Sequence, residues 1–237
     1  MKKTKLIAMD LDGTLTQHKT ALSAENRAAL CALGERYKLL IVGAGQVMRI
    51  FNQLGGFPLD IIGNYGLQYG RYTNGGIEIV RDVVFDCDRS AVMEKINFLR
   101  SKYGFTEYSG DGAEYHPSGC ITFPILGTKA KQADKLSFDP DRSKRRKIYD
   151  EVCAMFDDYC VFVGGSSSFD MAPKPYDKYY ALDTYCKENG ILHGEVVYIG
   201  DDYGLGGNDE SVYKSDIPYL KIDDYRTFPR VISPLLP

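Results

Sequence analysis

One segment near the N-terminus reads Leu6-Ile7-Ala8-Met9-Asp10-Leu11-Asp12-Gly13-Thr14-Leu15, an apolar run followed by two aspartates and a glycine. The short apolar run is typical of a buried strand, and Gly13 allows the chain to turn sharply away from it. In open α/β sheets, functional sites gather at the carboxyl ends of the strands. Alternation along an extended chain puts Asp10 and Asp12 on the same side, where two carboxylates repel unless a cation or a shared proton relieves them. The segment therefore predicts a strand that ends in an acidic site.

Strand and helix patterns alternate through the first part of the chain. Ser23 is suited to cap a helix that runs to about Tyr37. Residues 39–42 and 59–62 are apolar runs typical of buried strands, and a helix between them runs to about Leu54. This βαβαβ order predicts a parallel sheet.

The middle of the chain has a different pattern, with helices predicted at 89–103 and 142–157. The short strands predicted among them lie near 120–123, 160–163 and 169–171. Helices grouped with strands that do not alternate with them favour an α+β insertion.

The last third returns to alternating helix and strand. Residues 178–189 carry apolar positions on one helix face, and Gly190 is well placed to end that helix. Strands follow at 195–199 and 218–222. We therefore predict an α/β fold with a Rossmann-like parallel-sheet core and an inserted α+β cap domain. The predicted bounds are 1–82 and 174–237 for the core and 83–173 for the cap.

The composition narrows the classes of partner. With 237 residues, 44% of them hydrophobic, and a net charge of −3, the chain has no overall basic field for nucleic acid or anionic lipid. The one basic cluster, residues 142–147, is predicted to be a solvated helix face, because no nucleic-acid motif accompanies it. No segment approaches the length of a membrane span. We expect neither a nucleic acid nor a membrane as partner.

The six cysteines show no C-x-x-C spacing, which argues against a zinc site and a disulfide framework. The apolar run before Asp10 is too short for the core of a signal peptide. We therefore expect a cytoplasmic protein.

A second acidic segment follows a second predicted strand. Ile199-Gly200-Asp201-Asp202 precedes Gly206-Gly207-Asn208-Asp209, and together these offer carboxylate and amide oxygens. With Asp10 and Asp12 they suit Mg²⁺, which prefers oxygen ligands. The alternative is two unrelated acidic turns, since turns favour Asp, Asn and Gly. The position of both segments after buried strands favours one metal site.

A carboxylate beside a cation is suited to phosphoryl transfer. Carboxylates attack phosphorus to form an aspartyl phosphate, and Mg²⁺ offsets the repulsion between the two anions. A second acid two residues away is positioned to protonate the leaving oxygen. Lys178, at the start of a predicted helix, is the candidate that holds the charge, and the alternative is a solvated surface lysine.

Three motifs in order resemble those of the haloacid dehalogenase superfamily. They are Asp10-Leu11-Asp12-Gly13-Thr14-Leu15, the lysine motif Lys178-Tyr179-Tyr180-Ala181-Leu182, and the metal motif from Gly200-Asp201 to Gly207-Asn208-Asp209. The insertion resembles the type IIB cap. Within the superfamily, Gly164-Gly165-Ser166-Ser167-Ser168-Phe169-Asp170 and Leu205-Gly206-Gly207-Asn208-Asp209 are similar to segments of the eukaryotic-type phosphomannomutases.

The resemblance implies specific roles. Asp10 would be the nucleophile, Asp12 the general acid/base, and Lys178 the residue that stabilises the phosphoryl group. The implied Mg²⁺ ligands are Asp10, Asp201 and the backbone of Asp12, supported by Asn208 and Asp209.

Ser168 and Asp170 fall where those mutases contact sugar hydroxyls. The alternatives are a strand-end residue for Ser168 and a turn former for Asp170.

The chain departs from the family pattern at its phosphate-binding positions. The second motif usually offers a hydroxyl, whereas Gly43, Ala44 and Gly45 offer only backbone N–H groups, which still bind phosphate oxygens near a helix N-terminus. Thr128 and Lys19 stand where the mutases have arginines. Lysine binds phosphate as a point charge without the bidentate fork of arginine.

Because a phosphatase needs only one phosphate site, we predict a Mg²⁺-dependent hydrolase of a phosphorylated sugar that works through an aspartyl phosphate. The first alternative is a phosphomannomutase that interconverts mannose 1-phosphate and mannose 6-phosphate. A further alternative is a non-catalytic module that binds sugar phosphates. The expected oligomeric state is a monomer or a cap-mediated homodimer.

Overall fold

The computed structural model describes residues 3–236. The strands in that range are β1 (Leu6–Met9), β2 (Lys38–Val42), β3 (Asp60–Gly63), β4 (Gln68–Thr73), β5 (Gly76–Asp82), β6 (Glu114–Tyr115), β7 (Ile121–Pro124), β8 (Tyr159–Phe162), β9 (Ser168–Pro173), β10 (Val196–Gly200) and β11 (Tyr219–Lys221). The α-helices there are α1 (Ala24–Gly34), α2 (Val47–Gln53), α3 (Arg89–Tyr103), α4 (Gln132–Phe138), α5 (Ser143–Arg146), α6 (Tyr149–Met155), α7 (Lys178–Asn189), α8 (Glu210–Tyr213) and α9 (Phe228–Val231).

The described residues form two units. One holds the residues up to 83, then 177–204 and those from 209 onward, and the other holds 84–176 and 205–208. The functional assignment of these units as catalytic core and specificity cap stays a prediction. None of the helices within residues 3–236 is long and apolar enough to cross a bilayer.

The first unit is built on a sheet that, within residues 3–236, has seven strands in the order β11-β10-β1-β2-β3-β4-β5. β11, β10, β1, β2 and β3 pair in parallel. The side chains of β1 are fully buried, as expected for a parallel strand covered on both faces. The predicted Rossmann-like parallel sheet is confirmed, and β1 lies between β10 and β2, so the carboxyl ends of these three strands share one edge.

An antiparallel hairpin, β4–β5, extends this sheet beyond β3. Its turn is Asn74-Gly75, with φ of 49° and 82°. Asn-Gly between strand-like segments is the strongest short-range signal for a hairpin, because both positions require positive φ. The hairpin is an addition to the strands predicted above.

The predicted helices at 89–103 and 178–189 are confirmed as α3 and α7. Gly190 ends α7 in the left-handed conformation, with φ of 63°. Ser23 caps α1 as predicted, by accepting a hydrogen bond from Asn26 N. The helix ends at Gly34 rather than near Tyr37, because β2 begins at Lys38 and the chain must turn before it.

The second unit is α+β, as predicted. Its sheet, within the described part of the chain, has the order β6-β7-β9-β8 with antiparallel pairing throughout. The rings of Phe123 on β7 and Phe169 on β9 stack at a centroid distance of 6.0 Å. Both are fully buried in the apolar core that this sheet forms with α3 and α6.

The predicted single solvated helix over 142–157 is wrong in two respects. The segment forms two helices, α5 and α6, interrupted at residues 147 and 148. Arg145 is fully buried, and its guanidinium donates to Asp139 Oδ2 at 2.8 Å and to the carbonyls of Gly164 and Ser168 at 2.6 and 2.8 Å. A run of basic residues does not reveal which member will turn inward, because the acceptors come from elsewhere in the chain.

We expect Arg145→Met to lower the free energy of unfolding of the second unit by about 3–5 kcal/mol, because it leaves the Asp139 carboxylate buried without its partner. Denaturant titration of the full chain measures this. The exposed neighbour Lys147 provides the matched control, since Lys147→Met is expected to change stability by no more than about 0.5 kcal/mol. Equal effects of the two substitutions would contradict the structural role of Arg145.

Candidate active site

An acidic cluster of Asp10, Asp201 and Asp209 lies at the carboxyl edge of the parallel sheet. Asp10 follows β1 and Asp201 follows β10, and the pairing of Met9 with Ile199 sets these two strand ends side by side. Asp209 directly precedes α8. One carboxylate oxygen from each aspartate lies within 4.8 Å of the others. The structure thus brings together two predicted acidic segments that are separated by 190 residues of sequence.

Lys178, the first residue of α7, joins two members of the acidic cluster. Its Nζ lies 2.6 Å from Asp10 Oδ1 and 2.8 Å from Asp209 Oδ1. The side chain is 0% exposed, so the alternative of a solvated surface lysine is wrong. Asp177 caps the helix at its N-terminus, which fixes where Lys178 enters the site.

Asp209 is held from several sides. Tyr198 donates its hydroxyl to Asp209 Oδ1 at 2.6 Å, and Asp202 donates its N–H to Oδ2 at 3.0 Å. The buried Tyr219 hydroxyl has no hydrogen-bond partner within residues 3–236. That oxygen and Asp209 Oδ2 each lie 2.5 Å from the point that a Cβ on Gly200 would occupy. Only a glycine at position 200 therefore lets both oxygens pack against the backbone here. Neither Tyr198 nor Tyr219 was predicted.

Gly13 and Thr14 position Asp201. Thr14 donates its hydroxyl to Asp201 Oδ1 at 2.9 Å. Gly13 has φ of 101°, and a Cβ on it would lie 2.3 Å from Asp201 Oδ2. The predicted sharp turn after the first motif is confirmed, and it also leaves room for the second acidic segment.

The electrostatics of the cluster call for added positive charge. Three carboxylates and the Lys178 ammonium leave two negative charges when all are ionised. Burial raises the pKa of Asp10 well above its ordinary value, and burial together with Asp209 raises the pKa of Asp201 to about 6. Burial opposes the charge of Lys178, but Asp10 and Asp209 raise its pKa above the ordinary value. The convergent hard oxygen donors and the excess of two negative charges fit a divalent cation.

The carboxylate of Asp12 has partners outside the acidic cluster. Its Oδ1 accepts from Gln53 Nε2 at 2.7 Å, from Lys19 N at 2.8 Å and from Thr16 Oγ1 at 3.3 Å. Its Oδ2 lies 3.6 Å from a terminal nitrogen of Arg49. Sequence reasoning missed Gln53 and Arg49, because both lie on α2 and meet Asp12 only through the fold.

The glycine-rich turn after β2 has fewer N–H groups to offer than its sequence indicates. Gly43 donates its N–H to the carbonyl of Ile62 at 2.8 Å. Within residues 3–236, the N–H groups of Ala44 and Gly45 have no protein acceptor. These two groups remain for the predicted phosphate contact.

In the second unit, the hydroxyl of Thr128 is engaged within its own loop, where it accepts from Asp111 N at 2.9 Å. The guanidinium of Arg100 is buried and donates to two backbone carbonyls at 2.6 and 2.7 Å. Like Arg145, this arginine supports the backbone of its own unit.

The predicted sugar contacts Ser168 and Asp170 lie two residues apart on β9, so they face the same side of the strand. Asp170 Oδ1 accepts from the Thr122 hydroxyl at 2.9 Å. Asn208 belongs to the second unit, and its place among the metal ligands stays a prediction.

Comparison with known proteins identifies the family. The family model for eukaryotic phosphomannomutase matches residues 27–219. The chain is 26% identical over 225 residues to a probable phosphomannomutase of Caenorhabditis elegans, covering 89% of this chain and 87% of the relative. It is 26% identical over 227 residues to the phosphomannomutase of Saccharomyces cerevisiae, with coverage of 90% and 86%. The chain belongs to the eukaryotic phosphomannomutase family.

Solved structures show the same fold. A haloacid dehalogenase-like hydrolase from Bacteroides thetaiotaomicron matches with a TM-score of 0.60 at 17% identity, over 99% of this chain and 100% of that one. An IMP-nucleotidase from Plasmodium falciparum matches with a TM-score of 0.67 at 16% identity, over 98% and 68%. At such identities the likeness establishes the fold of the haloacid dehalogenase superfamily.

We expect the thermal stabilisation by Mg²⁺ to grow as the pH rises from 5 to 7.5. A carboxyl with a raised pKa in the folded state binds its proton more tightly than in the unfolded chain, so the ion-free protein loses stability as the pH rises toward and through 6. A cation that replaces this proton binds more tightly above that pH. Melting curves in MgCl₂ and in EDTA at each pH measure the difference.

Asp201→Asn provides the control for this experiment. It removes a titrating group and a charged ligand, so the stabilisation by Mg²⁺ should shrink and lose much of its pH dependence. An identical stabilisation by Mg²⁺ at pH 5 and at pH 7.5 in the unaltered protein would contradict the assignment of the acidic cluster as a cation site.

Proposed function

We propose that this enzyme is a phosphomannomutase that moves a phosphoryl group between oxygens of a hexose phosphate through an aspartyl phosphate at Asp10. Family membership favours this activity over the hydrolysis predicted from the sequence. The observation that carries the proposal is the contact of the Lys178 ammonium, 2.6 Å from Asp10 Oδ1, inside the acidic cluster.

Asp10 is the proposed nucleophile. One of its oxygens attacks phosphorus, an O–P bond to Asp10 forms, and the bond from phosphorus to the ester oxygen of the sugar breaks. Lys178 fixes the orientation of the carboxylate through Oδ1, and its charge offsets that of the incoming phosphoryl group.

Asp12 is the proposed general acid and base. It gives a proton to the departing sugar oxygen and later takes one from the hydroxyl that attacks the aspartyl phosphate. Its side chain is 18% exposed, and Gln53 and Lys19 N hold one of its oxygens. The two aspartates therefore divide the work because their side chains have different partners.

Mg²⁺ is the proposed cofactor. Asp10, Asp201 and the backbone of Asp12 would hold it, supported by Asn208 and Asp209. When bound, the ion would offset the repulsion between the nucleophile and the phosphoryl group.

Ser168 and Asp170 are the proposed contacts to sugar hydroxyls, and their common face on β9 supports this assignment. Lys19 and Thr128 remain proposed substrate contacts at the positions where the family has arginines. The proposed compartment is the cytoplasm, supported by six free cysteines. A monomer or a cap-mediated homodimer remains the proposed assembly.

Hydrolysis is the second candidate, and the lack of arginine in one segment of the second unit favours it. Residues 119–128 contain no arginine, and the guanidinium groups of Arg100 and Arg145 are buried against backbone carbonyls. A chain that holds a bisphosphate weakly would pass the phosphoryl group to water.

We expect the purified protein with Mg²⁺ and a hexose bisphosphate to convert mannose 1-phosphate into an equal amount of mannose 6-phosphate, with negligible free phosphate. Coupled assay of mannose 6-phosphate and colorimetric assay of phosphate, run in parallel, separate the two candidates. Release of mannose and phosphate in equal amounts would establish the hydrolase instead. Asp10→Asn is the control and should abolish either product.

We expect Asp12→Asn to separate the two half-reactions on p-nitrophenyl phosphate. The p-nitrophenolate group leaves without a proton, so this variant should release about one equivalent per enzyme in a burst. Its steady-state rate should fall by about 10²–10⁴, because the second half-reaction still needs a base. Rapid mixing with absorbance detection measures both phases. Loss of the burst together with the steady-state rate would contradict this division of roles.

The same assays test whether the protein is an enzyme. Absence of turnover of any phosphoester in the unaltered protein would favour the non-catalytic binding module.

A further inference from the structure

We propose that Arg49 binds a phosphoryl oxygen of the substrate and takes the place of the hydroxyl that the second motif of this chain lacks. The proposal rests on the proposed function, because it assigns a residue to the same site. The position of the Arg49 guanidinium over Gly45, beside Asp12, is the observation that carries it.

The guanidinium fills the space where a side chain at position 45 would begin. A Cβ built on Gly45 would lie 2.0 Å from Nη2 of Arg49, 2.4 Å from Nε and 2.5 Å from Cζ. Real Cβ atoms do not approach other atoms so closely. The guanidinium can therefore lie here only because residue 45 is a glycine, and it occupies the side-chain position of the second motif.

The neighbours of Arg49 hold it beside the carboxylate of Asp12. Its Nη1 donates to Gln53 Oε1 at 2.7 Å, and Gln53 Nε2 in turn donates to Asp12 Oδ1 at 2.7 Å. Gln53 Nε2 also lies 2.9 Å from the Thr16 hydroxyl. One glutamine thus fixes both the guanidinium and the carboxylate of the proposed general acid.

The guanidinium of Arg49 has N–H donors available for a ligand. It carries five N–H groups, of which Gln53 takes one. Its Nη2 lies 3.6 Å from Asp12 Oδ2, which is too long for a hydrogen bond. The side chain is 38% exposed, so a ligand can reach it. An exposed guanidinium with free N–H donors is suited to bind an anion that offers several oxygens.

The chemistry of this position favours a phosphoryl group. Guanidinium groups bind phosphate oxygens through two parallel charge-assisted hydrogen bonds, which a hydroxyl cannot do. The N–H groups of Ala44 and Gly45, which have no protein acceptor within the described residues, lie in the adjoining turn. Arg49 would therefore strengthen binding of the phosphoryl group beyond what backbone N–H groups supply alone.

The test is calorimetric titration of the Mg²⁺-loaded protein with inorganic phosphate. Arg49→Ala should weaken phosphate binding by about 10- to 100-fold, the loss expected for charge-assisted hydrogen bonds. Arg49→Lys should lie between the two, because it keeps the charge without the fork. Arg36→Ala is the matched control, since this exposed arginine precedes β2 at the opposite end of the strand. Unchanged phosphate affinity in Arg49→Ala would overturn the proposal.

A double-mutant cycle with Gly45→Ala tests the shared space. The new Cβ displaces the guanidinium without adding a hydroxyl. Gly45→Ala and Arg49→Ala should therefore weaken phosphate binding by less together than the product of their separate effects. Independent, multiplicative effects would overturn the proposal. Melting curves of each variant establish that the protein is folded.

Chemical rescue gives a readout that a merely structural role would not move. Guanidinium chloride at low, non-denaturing concentration should restore part of the phosphate affinity of Arg49→Ala and leave the control variant unchanged. Absence of rescue, combined with a lowered melting temperature, would assign Arg49 a structural role instead. Because phosphate binding is measured without turnover, this result is independent of whether the enzyme is a mutase, a hydrolase or inactive. If the unaltered protein does not bind phosphate, the proposal fails.

Discussion

The ammonium of Lys178 is the constraint on which the first unit depends. A fully buried charge costs several kcal/mol in lost hydration unless close partners offset it. Here the partners are Asp10, at the end of β1, and Asp209, at the start of α8. Asp10 lies near the start of the chain, whereas Lys178 and Asp209 lie in its last third. One ammonium therefore fixes where α7 begins relative to two segments at the edge of the sheet.

The two units handle buried cations in opposite ways. In the second unit, Arg100 and Arg145 donate to backbone carbonyls, and Asp139 balances the charge of Arg145. In the first unit, one ammonium faces three carboxylates and leaves the balance negative. The first arrangement ties the cations to backbone carbonyls and stabilises a fold. The second carries excess negative charge and is suited to receive a cation or a proton, as expected of a site that performs chemistry.

The elements that carry the acidic cluster and Lys178 could be predicted from the sequence, because local patterns mark them. Apolar runs that end in aspartate located β1 and β10, and the helix beginning at Lys178 was placed to the residue. What sequence alone did not provide is long-range geometry. The inward turn of Arg145, the tyrosines that line the acidic cluster, and the contact of Arg49 with Asp12 all depend on residues that meet only after folding. The hairpin at Asn74-Gly75 is different, since its signal is local and visible in the sequence.

The close approach of Arg49 to Gly45 couples the identity of residue 45 to the placement of a charge four residues away. A side chain at position 45 would begin where the guanidinium now lies, so Arg49 would have to adopt another rotamer. The guanidinium is the far end of a flexible side chain, so this movement costs little stability. Substitutions at position 45 are therefore expected to move the positive charge away from Asp12 and leave the fold intact.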